Sequence, residues 1–184
     1  MGAYGLAFLS EDGGASWENV ADRFDNPENL HLNAARVLGD QVAILGETGV
    51  AFTADRALAQ VSPAVSPPAQ SVFGVGALAD AAGREALIAY GFGDSAWVSA
   101  DGGARWDPLA LGKSAILVGH VALGAGEIGL LGADGLLIRA NRDGVLGETR
   151  PLGDRAFLTA GRLRPDGRLV IAGEAGVKLA EAAR

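Results

Sequence analysis

The chain has no cysteine among its 184 residues, which removes disulfide frameworks, thiolate metal sites and cysteine nucleophiles from consideration. Aromatic residues are sparse, at three Trp, two Tyr and six Phe, so each can be weighed singly. Positive charge is short as well. Fifteen Lys and Arg stand against twenty-two Asp and Glu, a formal net charge of -7, the opposite of the footprint of a nucleic-acid binder or an anionic-membrane ligand. Hydrophobic residues make up 49% of the chain, yet Asp, Glu, Arg, Gly or Pro interrupts every apolar run well before a bilayer-spanning length, so no transmembrane segment is expected. Met1 to Ser10 carries no basic start and is followed by Glu11 and Asp12, so no secretory signal is expected on this chain.

Glycine, by contrast, is abundant: 28 residues, about twice the ordinary share and scattered through the chain, which calls for many turns. Five segments share one form, a turn followed by a short apolar-leaning run. They end at Ser10, Thr53, Ser99, Arg139 and Ala180, at steps of 43, 46, 40 and 41 residues. A period near 42 fits a propeller blade or a helical array. The content of each period decides between them. Upstream of four of these segments lie Gln41 to Glu47, Ala86 to Gly91, Ile128 to Gly132 and Leu169 to Glu174, apolar runs too closely punctuated by Gly for helices. A third run precedes each, and a fourth, weaker one follows each turn. Four strands per period is the composition of a small antiparallel blade. The expected fold is therefore all-β, a propeller of about four blades in a single domain over 1–184. A partial blade covers 1–22, blades cover about 30–62, 70–110 and 114–150, and a last blade covers 155–184. The strand count is seventeen, opening on a third and fourth strand and stopping after first, second and third.

Two bends carry more information than a Gly-rich turn. Ser10-Glu11-Asp12-Gly13-Gly14-Ala15-Ser16-Trp17 and Ser99-Ala100-Asp101-Gly102-Gly103-Ala104-Arg105-Trp106 both fit Ser-x-Asp-x-Gly-x-x-Trp. The Asp carboxylate can accept backbone N–H groups of its own turn, Gly permits a positive φ, and the indole fills the gap between adjacent sheets. Eroded copies occur at Thr53-Ala54-Asp55 and Arg139 to Gly144. The pattern resembles the Asp-box (BNR-repeat) propellers. With Gly46-Glu47-Thr48-Gly49 and Gly173-Glu174-Ala175-Gly176, it is most similar to the photosystem II stability and assembly factor family and its bacterial relatives. The resemblance implies that Ser10, Asp12, Gly14, Trp17, Ser99, Asp101, Gly103 and Trp106 are structural, and that the boxes join third and fourth strands. It further implies a non-enzymatic assembly or scaffold role, commonly in an exported protein. This chain is about half the usual length of that family. Three arrangements are open: closure within the chain by the N-terminal fourth strand, a homodimer pairing head to tail, or an arc of a longer propeller.

Alternating strand direction places the second-to-third turns, and the loops before the first strands, on the face opposite the boxes. Glu47, Asp94, Asp134 and Glu174 are expected in those turns, where a ring of carboxylates could hold a cation or a basic peptide. Tight turns also contain Asp, Glu and Gly as a matter of course. His31 and Asn33 lie in and beyond the loop from Asp25, and Lys113 with Ser114 on a corresponding loop, positions where binding residues concentrate. His31 also suits a plain strand-end role, His120 a strand residue, and Trp17, Trp97 and Trp106 packing. No catalytic residue and no cofactor is expected; the expected partner is protein. The rival from another class is a sialidase- or glycanase-like glycoside hydrolase, with carboxylates such as Glu47 and Asp134 paired across the channel mouth. Tyr4 and Tyr90, both in strand contexts, supply no obvious sialidase nucleophile.

Overall fold

The computed structural model describes residues 1–65, 68–80, 82–147, 150–152 and 155–181. Fifteen strands, and no α-helix, occur among them. β1 (Phe8–Leu9) and β2 (Glu18–Asn19) form a two-stranded sheet, and β3 (Leu32–Leu38), β4 (Gln41–Gly46), β5 (Ala51–Asp55) and β6 (Val61–Pro63) form the next in sequential antiparallel order. β7 (Val72–Ala79), β8 (Glu85–Ser99), β9 (Asp107–Gly124), β10 (Glu127–Gly132), β11 (Leu136–Ala140) and β12 (Arg150–Pro151) follow as one six-stranded run. β13 (Leu158–Leu163), β14 (Arg168–Gly173) and β15 (Gly176–Glu181) complete the chain.

The long strands explain the six-stranded run. Residues 85–91 of β8 pair with β7 as a second strand, while its residues 92–98 pair with β9 as a third. β9 likewise serves as fourth strand of one blade and, over 117–124, as first strand of the next. Counted by blade position, the seventeen expected strands are therefore present. β6, which holds Pro63, is the outer edge of its sheet, where a missing N–H does no harm. The tail through Glu181 is strand, as the register implies, although its composition favours helix.

Blades pack face to face through four apolar layers. Ala7, Val20, Phe24, Ile44 and Phe52 join the N-terminal pair to the first full blade, and Ala43, Leu45, Leu87, Trp97 and Trp106 join the first to the second. Ile88, Tyr90, Leu117, Leu130 and Ile138 form the third layer, and Val121, Leu131, Leu158 and Ile171 the fourth. The second strands of the full blades are covered on both faces, which is why Val42-Ala43-Ile44-Leu45 reads as a continuous apolar run. Each fully buried Leu or Ile contributes ~1.5–3 kcal/mol.

Both Ser-x-Asp bends adopt one hydrogen-bond pattern at the third-to-fourth connection. Ser10 Oγ accepts from the Gly14 N–H at 2.7 Å, and Ser99 Oγ from the Gly103 N–H at 2.9 Å. Asp12 and Asp101 accept the N–H groups of Ser16 and Arg105 at 2.9 and 3.0 Å. The indole N–H of Trp17 donates to Gly14 O at 3.2 Å and that of Trp106 to Gly103 O at 2.9 Å. The Ser16 hydroxyl, then the Ser16 N–H and the Ser10 hydroxyl, hold the Asp12 carboxyl down to about 2. At Asp101, burial opposes ionisation but is outweighed by the Arg105 N–H and the Ser99 hydroxyl, so its carboxyl also lies low.

Four sequence expectations need correction. Lys113 and Ser114 are not on a loop, since the backbone stays extended from Asp107 to Gly124. Trp17 is not packed as Trp106 is: it is 63% exposed, against 3% for Trp106, because no sheet of the described residues lies against its ring. Asp94 is not in a tight turn, since the backbone stays extended from Glu85 to Ser99, with a register shift between Gly93 and Ser95. Tyr4 is in a one-turn segment, Ala3–Gly5, and not in a strand. The arc is also open: among the described residues β15 pairs only with β14 and β2 only with β1, so the N-terminal fourth strand does not close the last blade.

Candidate functional site

The face opposite the Asp-bearing bends is built from one repeated hairpin. At Glu47–Gly49 and Ala133–Gly135 the central residues Thr48 and Asp134 have φ of 49° and 57°, and Gly49 and Gly135 follow at 82° and 66°. Two successive left-handed residues give the primed turn that suits the twist of a two-strand hairpin, and glycine at the second position carries it without strain. Tyr4-Gly5 repeats the geometry at the start of the chain. Glu47 thus stands one position before Asp134 in the turn, and the four acids do not form an even ring.

Their side chains are used differently. The Glu47 carboxylate turns back to accept the His31 N–H at 3.2 Å and lies 3.9 Å from His31 Nδ1. Glu174 makes the same return to the Phe157 N–H at 3.4 Å. Among the described residues Asp94 accepts only from its neighbour Ser95, at 3.3 Å. His31, half-exposed, precedes β3 and meets the Tyr4 ring edge-on at 5.2 Å. Asn33 donates to Val72 O at 2.9 Å and ties the first full blade to the second. Among the described residues no group of three His, Asp or Glu side chains comes together as a metal site.

Two clefts lie at equivalent places on this face. In the first full blade, the loop Asp25 to Leu30 and the turn residues Thr48, Gly49 and Val50 enclose about 390 Å³, with the carboxylates of Asp25 and Glu28 in its wall and no Lys or Arg. The Asn26 side chain holds that loop shut, donating to Leu30 O at 2.9 Å and accepting the Leu30 N–H at 3.0 Å. In the third full blade, Lys113, Ser114, Ile116, Asp134 and Leu136, with Phe92 from the blade before, enclose about 270 Å³. Lys113 and Asp134 are brought together there; Glu47 is not among that cleft's lining residues.

Sequence reasoning missed a polar pair on the inner strands. Tyr90, buried, bonds His120 Nδ1 through its hydroxyl at 2.7 Å. The space comes from Gly74 and Gly76 on β7, where an added Cβ would sit 2.3 Å from the Tyr90 hydroxyl and 3.2 Å from His120 Cδ2. Two glycines alternating on one strand face, across from a lone tyrosine, were the available signal. Burial pushes the Tyr90 phenol up to about 12, so it stays protonated, and the His120 tautomer decides which of the two donates. Burial, and secondly the Arg36 guanidinium, push His120 below the ordinary histidine range. A base whose folded value is lowered takes up protons in the unfolded chain first, so its contribution is complete above about pH 6.5 and is lost as pH falls below it. The thermal midpoint is therefore expected to fall between pH 7 and 5 by more in the wild type than in His120→Gln; equal slopes would remove His120 as the cause.

No helix among the described residues is long and apolar enough to cross a membrane. Successive antiparallel sheets stack face to face, with the inner strands β3, β7, β9 and β13 packed in turn. This is the architecture of a β-propeller, here an open arc. No protein-family model matches the sequence, and no curated protein matches it. Among solved structures, the chain is similar to one described as YCF48 bound to D1 peptide, at 17% identity and a TM-score of 0.72, over 99% of this chain and 59% of that one. It is similar to the Cps50 (Swd1) β-propeller domain of Myceliophteria thermophila at 9% identity and a TM-score of 0.64, over 97% and 63%. The computationally designed Ika4 protein matches at 15% identity and 0.61, over 83% and 91%. At such identities the likeness is one of fold, and the chain spans about six-tenths of the two natural propellers.

Proposed function

We propose that this chain is a non-enzymatic protein-binding propeller of the Asp-box type, a scaffold or assembly module whose partner surface is the face of the second-to-third turns. The observation that carries the reading is the pair of clefts at equivalent blade positions, one lined by Asp25 and Glu28 with no base, the other by Phe92, Ile116 and Leu136 together with Lys113 and Asp134. Such a surface suits an extended segment that places Lys or Arg beside Asp25 and Glu28 and an apolar side chain against Phe92, Ile116 and Leu136. The matched bends at Asp12 and Asp101 support the Asp-box kinship. A structural neighbour described with a peptide bound supports a peptide-like partner.

A library of immobilised peptides probed with the pure chain tests this. Enriched peptides are expected to combine a basic with an apolar residue, and Asp25→Lys with Glu28→Lys is expected to weaken them roughly tenfold or more. Glu11→Lys, in a bend of the other face, is expected to leave binding unchanged. Binding indifferent to Asp25 and Glu28 but lost at Glu11 overturns the assignment of the face. Turnover of a glycan panel, abolished by changing one carboxylate, overturns the non-enzymatic reading.

A further inference from the structure

The inner wall of the arc is formed by β3, β7, residues 117–124 of β9, and β13. Its charge is unlike that of the chain as a whole. The protein has twenty-two Asp and Glu and a net charge of -7, yet none of those acids is on these four segments, whose only titratable side chains are Arg36, His120 and Arg162. Two of the three converge on β7. Arg36 pairs with Ala43, which lies in the layer between the first and second full blades, so its side chain leaves β3 toward β7. His120 pairs with Leu130, in the layer between the second and third full blades, and leaves β9 toward β7 from the other side. Arg162 pairs with Val170 and leaves β13 on the side away from both. Arg36 is exposed and has no ion pair among the described residues. His120 is half-buried, its Nδ1 bonded to the Tyr90 hydroxyl at 2.7 Å. Its Nε2 has no partner among the described residues and, unlike Gln70 Oε1, is not closed off from solvent. The Arg36 charge reaches both Tyr90 and His120, and no carboxylate among the described residues offsets it there.

We propose that the inner wall binds an oxyanion, a carboxylate or phosphate group, between the Arg36 guanidinium and His120 Nε2, with Tyr90 as the positioning residue. A guanidinium with no acid beside it, on a concave wall free of negative charge, attracts anions and is not neutralised by its own chain. Its planar fork of donors matches the edge of a carboxylate or phosphate. His120 completes the site while staying neutral. An anion at Nε2 favours the tautomer that carries the proton there, and the bare Nδ1 then accepts from the Tyr90 hydroxyl. Gly74 and Gly76 make the arrangement possible, because a Cβ at these positions would crowd the Tyr90 hydroxyl and the His120 ring. The site is separate from the two clefts, so the inference does not depend on the binding role of the turn face.

The test is to titrate the pure chain with inorganic phosphate, and separately with acetate, at about pH 7.5, above the ordinary histidine range, while following the histidine ring nitrogens by NMR. The chain has two histidines, and His120→Gln tells their signals apart. With phosphate, the His120 signals are expected to move saturably at millimolar concentrations toward the Nε2–H tautomer, while those of His31, on the turn face, stay in place. Arg36→Gln, at an exposed position, is expected to keep the thermal midpoint and to raise the half-saturating concentration roughly tenfold or more. Tyr90→Phe keeps the ring and removes the hydroxyl, so its His120 signals are expected to show a mixture of tautomers even with phosphate bound; a Tyr90 that only packs would leave the tautomer as in the wild type and overturn its positioning role. Saturation by acetate as well as phosphate assigns a simple carboxylate, such as an acidic side chain presents, and saturation by phosphate alone assigns a phosphate group. No saturable shift with either anion, or an unchanged half-saturation in Arg36→Gln, overturns the proposal.

Discussion

Trp106→Ala is expected to lower the unfolding free energy by ~3–5 kcal/mol, the range for a large buried aromatic reduced to a methyl. Trp17→Ala, at the same place in the same motif, is expected to cost less than ~1 kcal/mol when measured dilute. The two indoles make the same hydrogen bond, to Gly14 O at 3.2 Å and Gly103 O at 2.9 Å. They differ only in what lies against the ring. Trp106 sits in a layer with Ala43, Leu45, Ala51, Val72 and Leu87, whereas no such layer of described residues lies against the exposed Trp17 ring. The contrast therefore separates two accounts of the residue. If the indole serves its own bend, both substitutions cost alike; if it serves the joint between blades, only Trp106 matters. Urea unfolding reads the difference, as a fall in midpoint at constant slope.

The blades were legible because their causes are local. Glycine-bounded apolar runs of five or six residues can only be short strands, and Val42 to Leu45 or Leu169 to Ile171 declare themselves without any neighbour. The bends were legible for the same reason, since Asp12 and Asp101 bond within five residues of themselves. What was illegible depends on residues far along the chain. Whether Trp17 is buried is decided by whether a sheet lies against its ring, as the first full blade lies against Trp106. Whether Asp94 turns is decided by Ile116 and Ala115, which pair with Phe92 and Gly93 and keep that backbone extended. Tyr90 and His120 are thirty residues apart, and they meet only because Gly74 and Gly76 leave room. The candidate face was half legible. The loop and turn positions of His31, Glu47 and Asp134 follow from strand direction, but that Lys113 lies within β9 and which of these residues share a cleft follow from the chain's path between blades. Lys113 and Asp134 share one, and Glu47 is instead drawn onto the His31 amide.

The glycines that close the second strands carry the second large expectation. Gly46, Gly91, Gly132 and Gly173 occupy one position in four blades, and a Cβ on each would lie 1.9, 2.0, 1.9 and 1.9 Å from the carbonyl oxygen of His31, Ser71, Ile116 and Phe157. That oxygen arches over the glycine to accept the next N–H, at 2.9 Å for Glu47 and for Glu174 and 3.2 Å for Phe92. The ladder bulges beside it, with a register shift at Leu32/Ala34, Val72/Gly74, Leu131/Gly132 and Leu158/Ala160. The obstruction is backbone and not a side chain that can swing away. Gly132→Ala must therefore displace the start of the inner strand or the turn itself. The expected loss is at or above the upper end of the ~1–3 kcal/mol usual for overpacking. Gly144→Ala, with open space around its Cβ and no positive φ, is the matched control and should stay within about 0.5 kcal/mol. Denaturant midpoints decide the first point. The consequence for function is spatial, because Gly132 anchors the turn that carries Asp134, and Ile116, whose carbonyl it touches, lines the same cleft as Lys113. Gly132→Ala is therefore expected to weaken peptides that use the apolar cleft even well below its melting temperature. Gly46→Ala should act on the Asp25–Glu28 cleft through Thr48 and Val50, so the two variants should lose different subsets of the same peptide library. Identical losses would mean that the substitutions act by general unfolding and that the two clefts are not separately built.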